Sequence, residues 1–196
     1  MDEQTRSTRD SYNRIAGAYD RSEWLQRPFL GGARREVLAH AHGRVLEVAV
    51  GSGHNLRHLP ADTQVVGLDV STAMLSRARQ RADALGRQVE LVEGDAQSLG
   101  LPDQDFDTVV CLLALCSIPD QARALQEMWR VLRPGGRLLT LDHIEYTRRP
   151  WRGFEARKAR PRRLPRAVAA EVGFMIDKHR RRGFGFLESV VAHRPA

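Results

Sequence analysis

The chain of 196 residues is poor in cysteine, with only Cys111 and Cys116, both inside the apolar run VVCLLALC. That excludes a disulfide-built scaffold and reads as two small core residues kept in a reducing compartment. Long hydrophobic runs are also missing. The longest, Val109 to Cys116, falls far short of the ~20 apolar residues a membrane-spanning helix needs. The amino-terminal stretch MDEQTRSTRDSYNR has no apolar signal core, so a soluble, cytoplasmic protein is expected. No internal repeat and no low-complexity linker divides the chain, which favours a single domain over residues 1–196. His40, His42, His54 and His58 have no cysteine or carboxylate partner at ligand spacing, so no metal is expected.

What is present is ordinary globular material, 42% hydrophobic and 28% charged, enough to bury one core. The net charge of +7 is unevenly placed: residues 143–196 hold 14 Lys and Arg against 5 Asp and Glu, and residues 1–142 hold 17 against 19. The segment RRPWRGFEARKARPRRLPR (Arg148 to Arg166) can therefore meet phosphates or an anionic lipid surface, with Trp151 and Phe154 able to insert. A plain solvated arginine-rich segment accounts for the same composition.

Short Val- and Leu-rich runs, RVLEVAV, QVVGLDV, QVELVEGD, FDTVVCLLAL and GRLLTLD, alternate with stretches of i, i+3, i+4 periodicity. Strands apolar on both faces are those that helices cover on both sides. The pattern predicts an α/β fold: a doubly wound, mostly parallel sheet of seven strands with helices on both faces. Helices are expected from Ser71 or Thr72 to Gly86, and from Asp120 to Pro134–Gly136, each bounded by a capping residue and a glycine or proline stop. Residues 1–42 read as a helical preface across the ligand edge, broken at Pro28 and at Gly31–Gly32. Residues 43–143 form the core. In 144–196 the basic stretch gives way to EVGFMIDKH and FGFLESVVAHRP, two closing strands at an antiparallel edge, around a turn holding Arg180, Arg181, Arg182 and Gly183.

Chemistry concentrates at LEVAVGSGHN, Leu46 to Asn55. A glycine turn between a first strand and a helix lets backbone N–H groups approach a polar ligand, because Gly51 and Gly53 tolerate positive φ. Leu56 stands where a dinucleotide-binding turn has its third glycine, which argues against nicotinamide or flavin. Asp69 ends the second strand, placed to accept from both hydroxyls of a ribose. Asp95, after the third strand in VEGDAQ, is placed to meet an exocyclic adenine amine. His143 follows the fifth strand and is a candidate general base.

The set LEVAVGSGHN, VVGLDVSTAMLSRAR, VELVEGDAQSLGLPDQDFDTVVCLLALCSIPD and RVLRPGGRLLTLDH resembles, in order and spacing, the class I S-adenosylmethionine-dependent methyltransferases over about residues 12–143. The resemblance implies a Rossmann-like fold and S-adenosylmethionine as cofactor, with S-adenosylhomocysteine as product. It places Glu47, Ala49, Gly51, Ser52, Gly53 and Asn55 at the cofactor turn and Asp69 on the ribose. Val70 and Met74 flank the adenine, and Gly94, Asp95 and Ala96 lie at its edge. Cys111 and Leu112 stand beside the reactive methyl. Tyr12 and Tyr19, in SYNRIAGAYD, resemble the preface that closes over the cofactor in the quinone C-methyltransferase branch. The family pattern has glycine where this chain has Ala49, and an alanine fits there if its φ is negative.

Two absences bear on the acceptor. No Asn/Asp-Pro-Pro-Tyr signature and no Pro-Cys pair follows the fourth strand, as amino-group or pyrimidine C5 methylation of nucleic acid would require. The wording LALCSIPD and RPGGRLLTLDH is similar to a branch holding phospholipid N-methyltransferases and lipophilic thiol methyltransferases. It implies a small or lipid acceptor bearing an amine, thiol or hydroxyl, with peripheral contact to anionic membrane through the basic tail. An RNA or protein methyltransferase docked through that tail, and a relative that binds the cofactor without transferring its methyl, are the alternatives.

Overall fold

A computed structural model describes residues 2–144, 163–182 and 186–196, with the side chains of residues 18–29 outside that set. In chain order the elements are α1 (Glu3–Leu38), β1 (Arg44–Val48), β2 (Gln64–Asp69), α2 (Thr72–Ala84), β3 (Val89–Glu93) and β4 (Phe106–Leu112). A 3-10 turn (Leu115–Ser117), α3 (Gln121–Val131), β5 (Leu132–His143), α4 (Pro165–Val172), β6 (Met175–Arg182) and β7 (Leu187–His193) follow. The seven strands form one sheet in the order β3-β2-β1-β4-β5-β7-β6. β1 to β5 run parallel, while β7 is antiparallel to both β5 and β6. The order reverses between β1 and β4, and in open α/β sheets ligands bind outside the strand carboxyl ends at such a switch point.

Strand alternation divides the core into two layers. Leu46, Val48, Val109 and Cys111 pack with Leu125 and Met128 of α3 and Val168 of α4. Val45, Val110 and Leu112 pack with Val37 and Leu38 of α1 and Ala78 and Ala82 of α2. Glu47 shares the face of Val45, so its carboxylate enters the α1/α2 layer with no exposed surface.

Side-chain caps set three helix starts: Asp2 accepts from Thr5 N at 2.7 Å, Ser71 from Met74 N at 3.2 Å and Asp120 from Arg123 N at 3.0 Å. Several boundaries differ from the sequence expectation. α1 runs unbroken through Pro28 and Gly31–Gly32, because burial of Leu30, Ala33, Val37 and Leu38 outweighs the weak helix propensity of those residues. No helix follows the glycine turn. Residues 51–63 instead form successive turns, with Gly53 N, Leu56 N, His58 N and Thr63 N each bonded three residues back.

α3 stops at Val131, not at the Pro-Gly-Gly stretch. Leu132 already pairs with Phe106, and Arg133–Gly136 form a bulge before Arg137 pairs with Thr108. Pro165–Val172, which begins at the end of the arginine-rich segment, is helical and includes Glu171 and Val172, which had read as strand. Gly173, at φ 114°, ends it. Arg180–Arg182 lie in the edge strand β6, not in a turn, and Gly183 is outside the described residues. A polar composition suits an edge strand exposed along most of its length. No described helix is long and apolar enough to cross a membrane.

Candidate functional site

A cleft opens at the carboxyl ends of β1 to β4, where open α/β sheets bind their ligands. Its floor is the turn after β1. Val50 N donates to Leu68 O at 3.0 Å, tying the turn to β2, and Gly51 N donates to Asp69 Oδ2 at 2.8 Å. Ser71 N donates to Asp69 Oδ1 at 2.9 Å. Burial pushes the Asp69 carboxyl up, and these N–H groups oppose that shift. A carboxylate accepts about four hydrogen bonds, so capacity remains for a ligand.

Gly51 sits at φ 55° and a Cβ there would meet nothing within 4 Å, so its backbone faces open space. Gly53 is different: at φ 79° a Cβ would lie 3.2 Å from Ala78 Cα, so this glycine lets α2 approach the turn. Ala49 has φ 55°. The condition of a negative φ for alanine is therefore not met. Alanine occupies a left-handed conformation that favours glycine, directly before Val50, whose N–H bonds Leu68 O.

Ser52, Asn55, Val70 and Met74 line the cleft, as do Gly94, Asp95, Ala96 and Leu112. Asp95 Oδ1 accepts from Gln97 N at 2.9 Å, and Gln97 bonds Thr5 Oγ1 on α1 at 2.9 Å. Tyr12 reaches Ser117 Oγ at 3.3 Å, and Asn13 Oδ1 accepts from Ser71 Oγ at 2.6 Å. Together these fasten the first half of α1 over the ligand edge.

Four predicted site residues do not line the cleft. Glu47 lies beneath it, where Oε1 accepts from Asn55 Nδ2 at 2.7 Å and burial raises its carboxyl to about 7. Gly53 packs on α2. Cys111 belongs to the α3 layer, since its neighbours Val110 and Leu112 take the opposite face. His143 ends β5 beside Asp142 and Cys116. The side chain of Tyr19 is outside the described residues.

Sequence reasoning missed Thr5, Thr8, Arg34 and His54, which also line the cleft. Its lip, Leu113, Ala114, Ser117, Ile118 and Pro119, overlaps the loop after the fourth strand. Leu113 is held at φ 59° with its N bonded to Leu141 O at 2.6 Å, a strained residue at the rim.

The donor set fits S-adenosylmethionine. Asn55 Oδ1 is buried without a hydrogen-bond partner among the described residues while its side chain lines the cleft, so it offers an acceptor to an ammonium. Asp69 offers acceptors to a ribose, and Val70, Met74, Ala96 and Ile118 supply apolar surface for a purine.

Residues 46–140 match the family described as methyltransferase domain. A demethylmenaquinone methyltransferase of Deinococcus radiodurans is 40% identical over 121 residues, covering 60% of this chain and 50% of that protein. A phosphatidylethanolamine N-methyltransferase of Cereibacter sphaeroides is 38% identical over 132 residues, 65% of each chain. The chain thus spans between half and two thirds of the length of these relatives. Among solved structures, a SAM-dependent methyltransferase of Methanosarcina mazei superposes with a TM-score of 0.67 at 21% identity, covering 78% of this chain and 92% of the other. Residues 46–140 are thus similar to a methyltransferase domain, set in a fold shared with that solved methyltransferase.

Proposed function

We propose that the chain binds S-adenosylmethionine in this cleft and methylates a small lipophilic acceptor bearing an amine, thiol or hydroxyl, releasing S-adenosylhomocysteine. The supporting observation is the division of one cleft into two chemistries. Its floor offers the carboxylate of Asp69 and the free acceptor of Asn55, and its lip is the apolar set Leu113, Ala114, Ile118 and Pro119. The bound cofactor supplies an already activated methyl group, so the chain's task is to orient an acceptor in line and exclude water. Asp69 and Asn55 hold the polar ends of the cofactor, Met74 and Ala96 flank its purine, and Tyr12 with Ser117 closes the mouth from α1. The acceptor loses its proton to water on methylation, and with the methyl already activated a strong base is optional.

Relatives named for quinone and phosphatidylethanolamine methylation support a lipophilic acceptor. The basic carboxyl-terminal segment offers a means of resting on the anionic membrane surface where such acceptors dissolve. The RNA or protein reading draws on that segment alone, and several of its described arginines already face carboxylates. Arg166 and Arg181 meet Glu188, and Arg180 and Arg182 meet Glu36.

Incubation with methyl-labelled cofactor and separate lipid, metabolite and RNA pools tests the proposal. Label in an organic-extractable or small-molecule product is expected. Label confined to the RNA pool would overturn the acceptor class, and binding without any labelled product would overturn methyl transfer.

A further inference from the structure

Three side chains that the cofactor cleft does not use converge where β4 and β5 end. One ligand atom from each of Cys116, Asp142 and His143 lies within 4.8 Å of the others. Cys116 comes from the 3-10 turn and the other two end β5, 26 positions on at Asp142 and next to it at His143. That separation explains why no ligand spacing was legible. Asp142 is fully buried and fixed in place: Oδ1 accepts from His143 N at 2.7 Å and Oδ2 from Cys116 N at 3.3 Å. Among the described residues no Lys or Arg forms an ion pair with it. Burying a carboxylate is costly, Cys116 and His143 offset only part of that cost, and a bound metal ion relieves the rest. Cys116 and His143 are only half-buried, so a hydrated ion has a way in.

We propose that Cys116 Sγ, an Asp142 carboxylate oxygen and a His143 imidazole nitrogen bind one divalent ion of the zinc class. A mixed sulfur, nitrogen and oxygen set suits zinc and cobalt rather than magnesium or calcium, which take oxygen alone. Tetrahedral bonds of about 2.0 to 2.3 Å place neighbouring ligand atoms about 3.3 to 3.6 Å apart. Ligation would draw the Cys116 and His143 side chains together from the present separations of up to 4.8 Å. When it ligates, the thiol gives its proton to solvent. Three protein ligands leave a fourth position for water or for an anionic oxygen or sulfur, the arrangement of catalytic rather than structural zinc. Cys116 lies between Ala114 and Ser117, both on the lip of the cleft, so the ion would sit beside the acceptor end and not the cofactor floor. His143 then serves as a ligand instead of a general base. Metal binding by these residues does not depend on the methyl-transfer reading.

The test is titration of the full chain, stripped with chelator, with Co²⁺ as a spectroscopic probe and Zn²⁺ as competitor. One equivalent of Co²⁺ should bind with a thiolate-to-cobalt charge-transfer band that Zn²⁺ abolishes. Cys116→Ser should remove the band, and His143→Gln should weaken binding by about tenfold or more. Cys111→Ala should keep the band, because that thiol is sealed in the α3 layer. The half-buried positions of Cys116 and His143 allow substitution without loss of fold, which a thermal melt of each variant checks; if Cys116→Ser does not fold, loss of the band on thiol alkylation, with Cys111→Ala as background, replaces it. Absence of saturable one-to-one binding, or a band that survives Cys116→Ser, would overturn the site.

Discussion

Asn55 Nδ2 donates to Oε1 of Glu47 at 2.7 Å, joining a side chain of the cleft to a carboxyl with no exposed surface. Burial is the largest influence on Glu47 and raises it from 4.5 to about 7; Asp69 pushes the same way, while Asn55, Arg34 and Arg87 oppose. The folded state therefore holds this proton more tightly than the unfolded chain between pH 4.5 and about 7. Its contribution to stability is fully present below pH 4.5 and is lost as pH rises through about 7. A shift of this size corresponds to roughly 3 kcal/mol. Glu47→Gln, which keeps the hydrogen bond to Asn55, should match the parent at pH 5 and exceed it in stability at pH 8. Denaturant melts at the two pH values measure this, and a difference that does not change with pH would refute it.

Ala49 occupies a left-handed conformation at φ 55°, which costs a non-glycine residue roughly 1 to 2 kcal/mol. Ala49→Gly removes that strain and raises the entropy of the unfolded chain, which takes back about half of the gain. A net stabilisation of about 0.5 to 1 kcal/mol is expected, read as a thermal midpoint roughly 1 to 4 °C higher for a domain of this size. A lower midpoint would mean that the turn is relaxed around alanine.

The turn at the floor of the cleft was legible because its determinants are local. Gly51 and Gly53, the acid at each strand end and the caps at Ser71 and Asp120 all act within a few residues of where they stand. Long-range contacts were not legible. Arg34 reaches the cleft from the far end of α1, and Cys116 meets Asp142 only because β4 and β5 are neighbours in the sheet. The missed helix α4 had its signals, Pro165 at its first turn and Gly173 as its stop, but arginine-rich surroundings concealed them. Pro28 and Gly31–Gly32 misled in the opposite sense, since local helix breakers lost to tertiary burial along α1. The bulge in β5 misled likewise, a Pro-Gly-Gly helix stop in sequence becoming part of a strand.

Arg87 replaces the crossover helix that residues 51–63 do not form. Its guanidinium donates to the carbonyls of Leu56 at 3.2 Å, Leu59 at 2.9 Å and Pro60 at 2.6 Å, and to Thr63 Oγ1 at 2.6 Å. Arg87→Lys keeps a positive charge near Glu47, yet one ammonium on a flexible stem cannot match that planar fork. Losing two or more such bonds should cost about 2 to 3 kcal/mol and lower the thermal midpoint by roughly 5 to 10 °C. Amide exchange should accelerate in residues 56–63 before it does in β1 or β4. Uniform acceleration across the sheet would show that Arg87 supports the whole fold and not this segment.

Asp69 both receives Gly51 N and Ser71 N and faces the cleft, so its structural and binding roles must be separated. Asp69→Asn keeps one carbonyl acceptor and nearly the same shape, but it loses the charge and half of the acceptor capacity. Hydrogen bonds to charged groups contribute about 1.5 to 3 kcal/mol, so removal of the charge should weaken S-adenosylmethionine binding by roughly 10- to 100-fold. The same loss should extend to S-adenosylhomocysteine, because both carry the ribose and differ only at sulfur. Calorimetric titration of both ligands against parent and variant, with a melt to verify the fold, measures it. Equal affinities in parent and variant would displace the ribose from Asp69. A loss for S-adenosylmethionine alone would show that the carboxylate acts on the sulfonium charge instead.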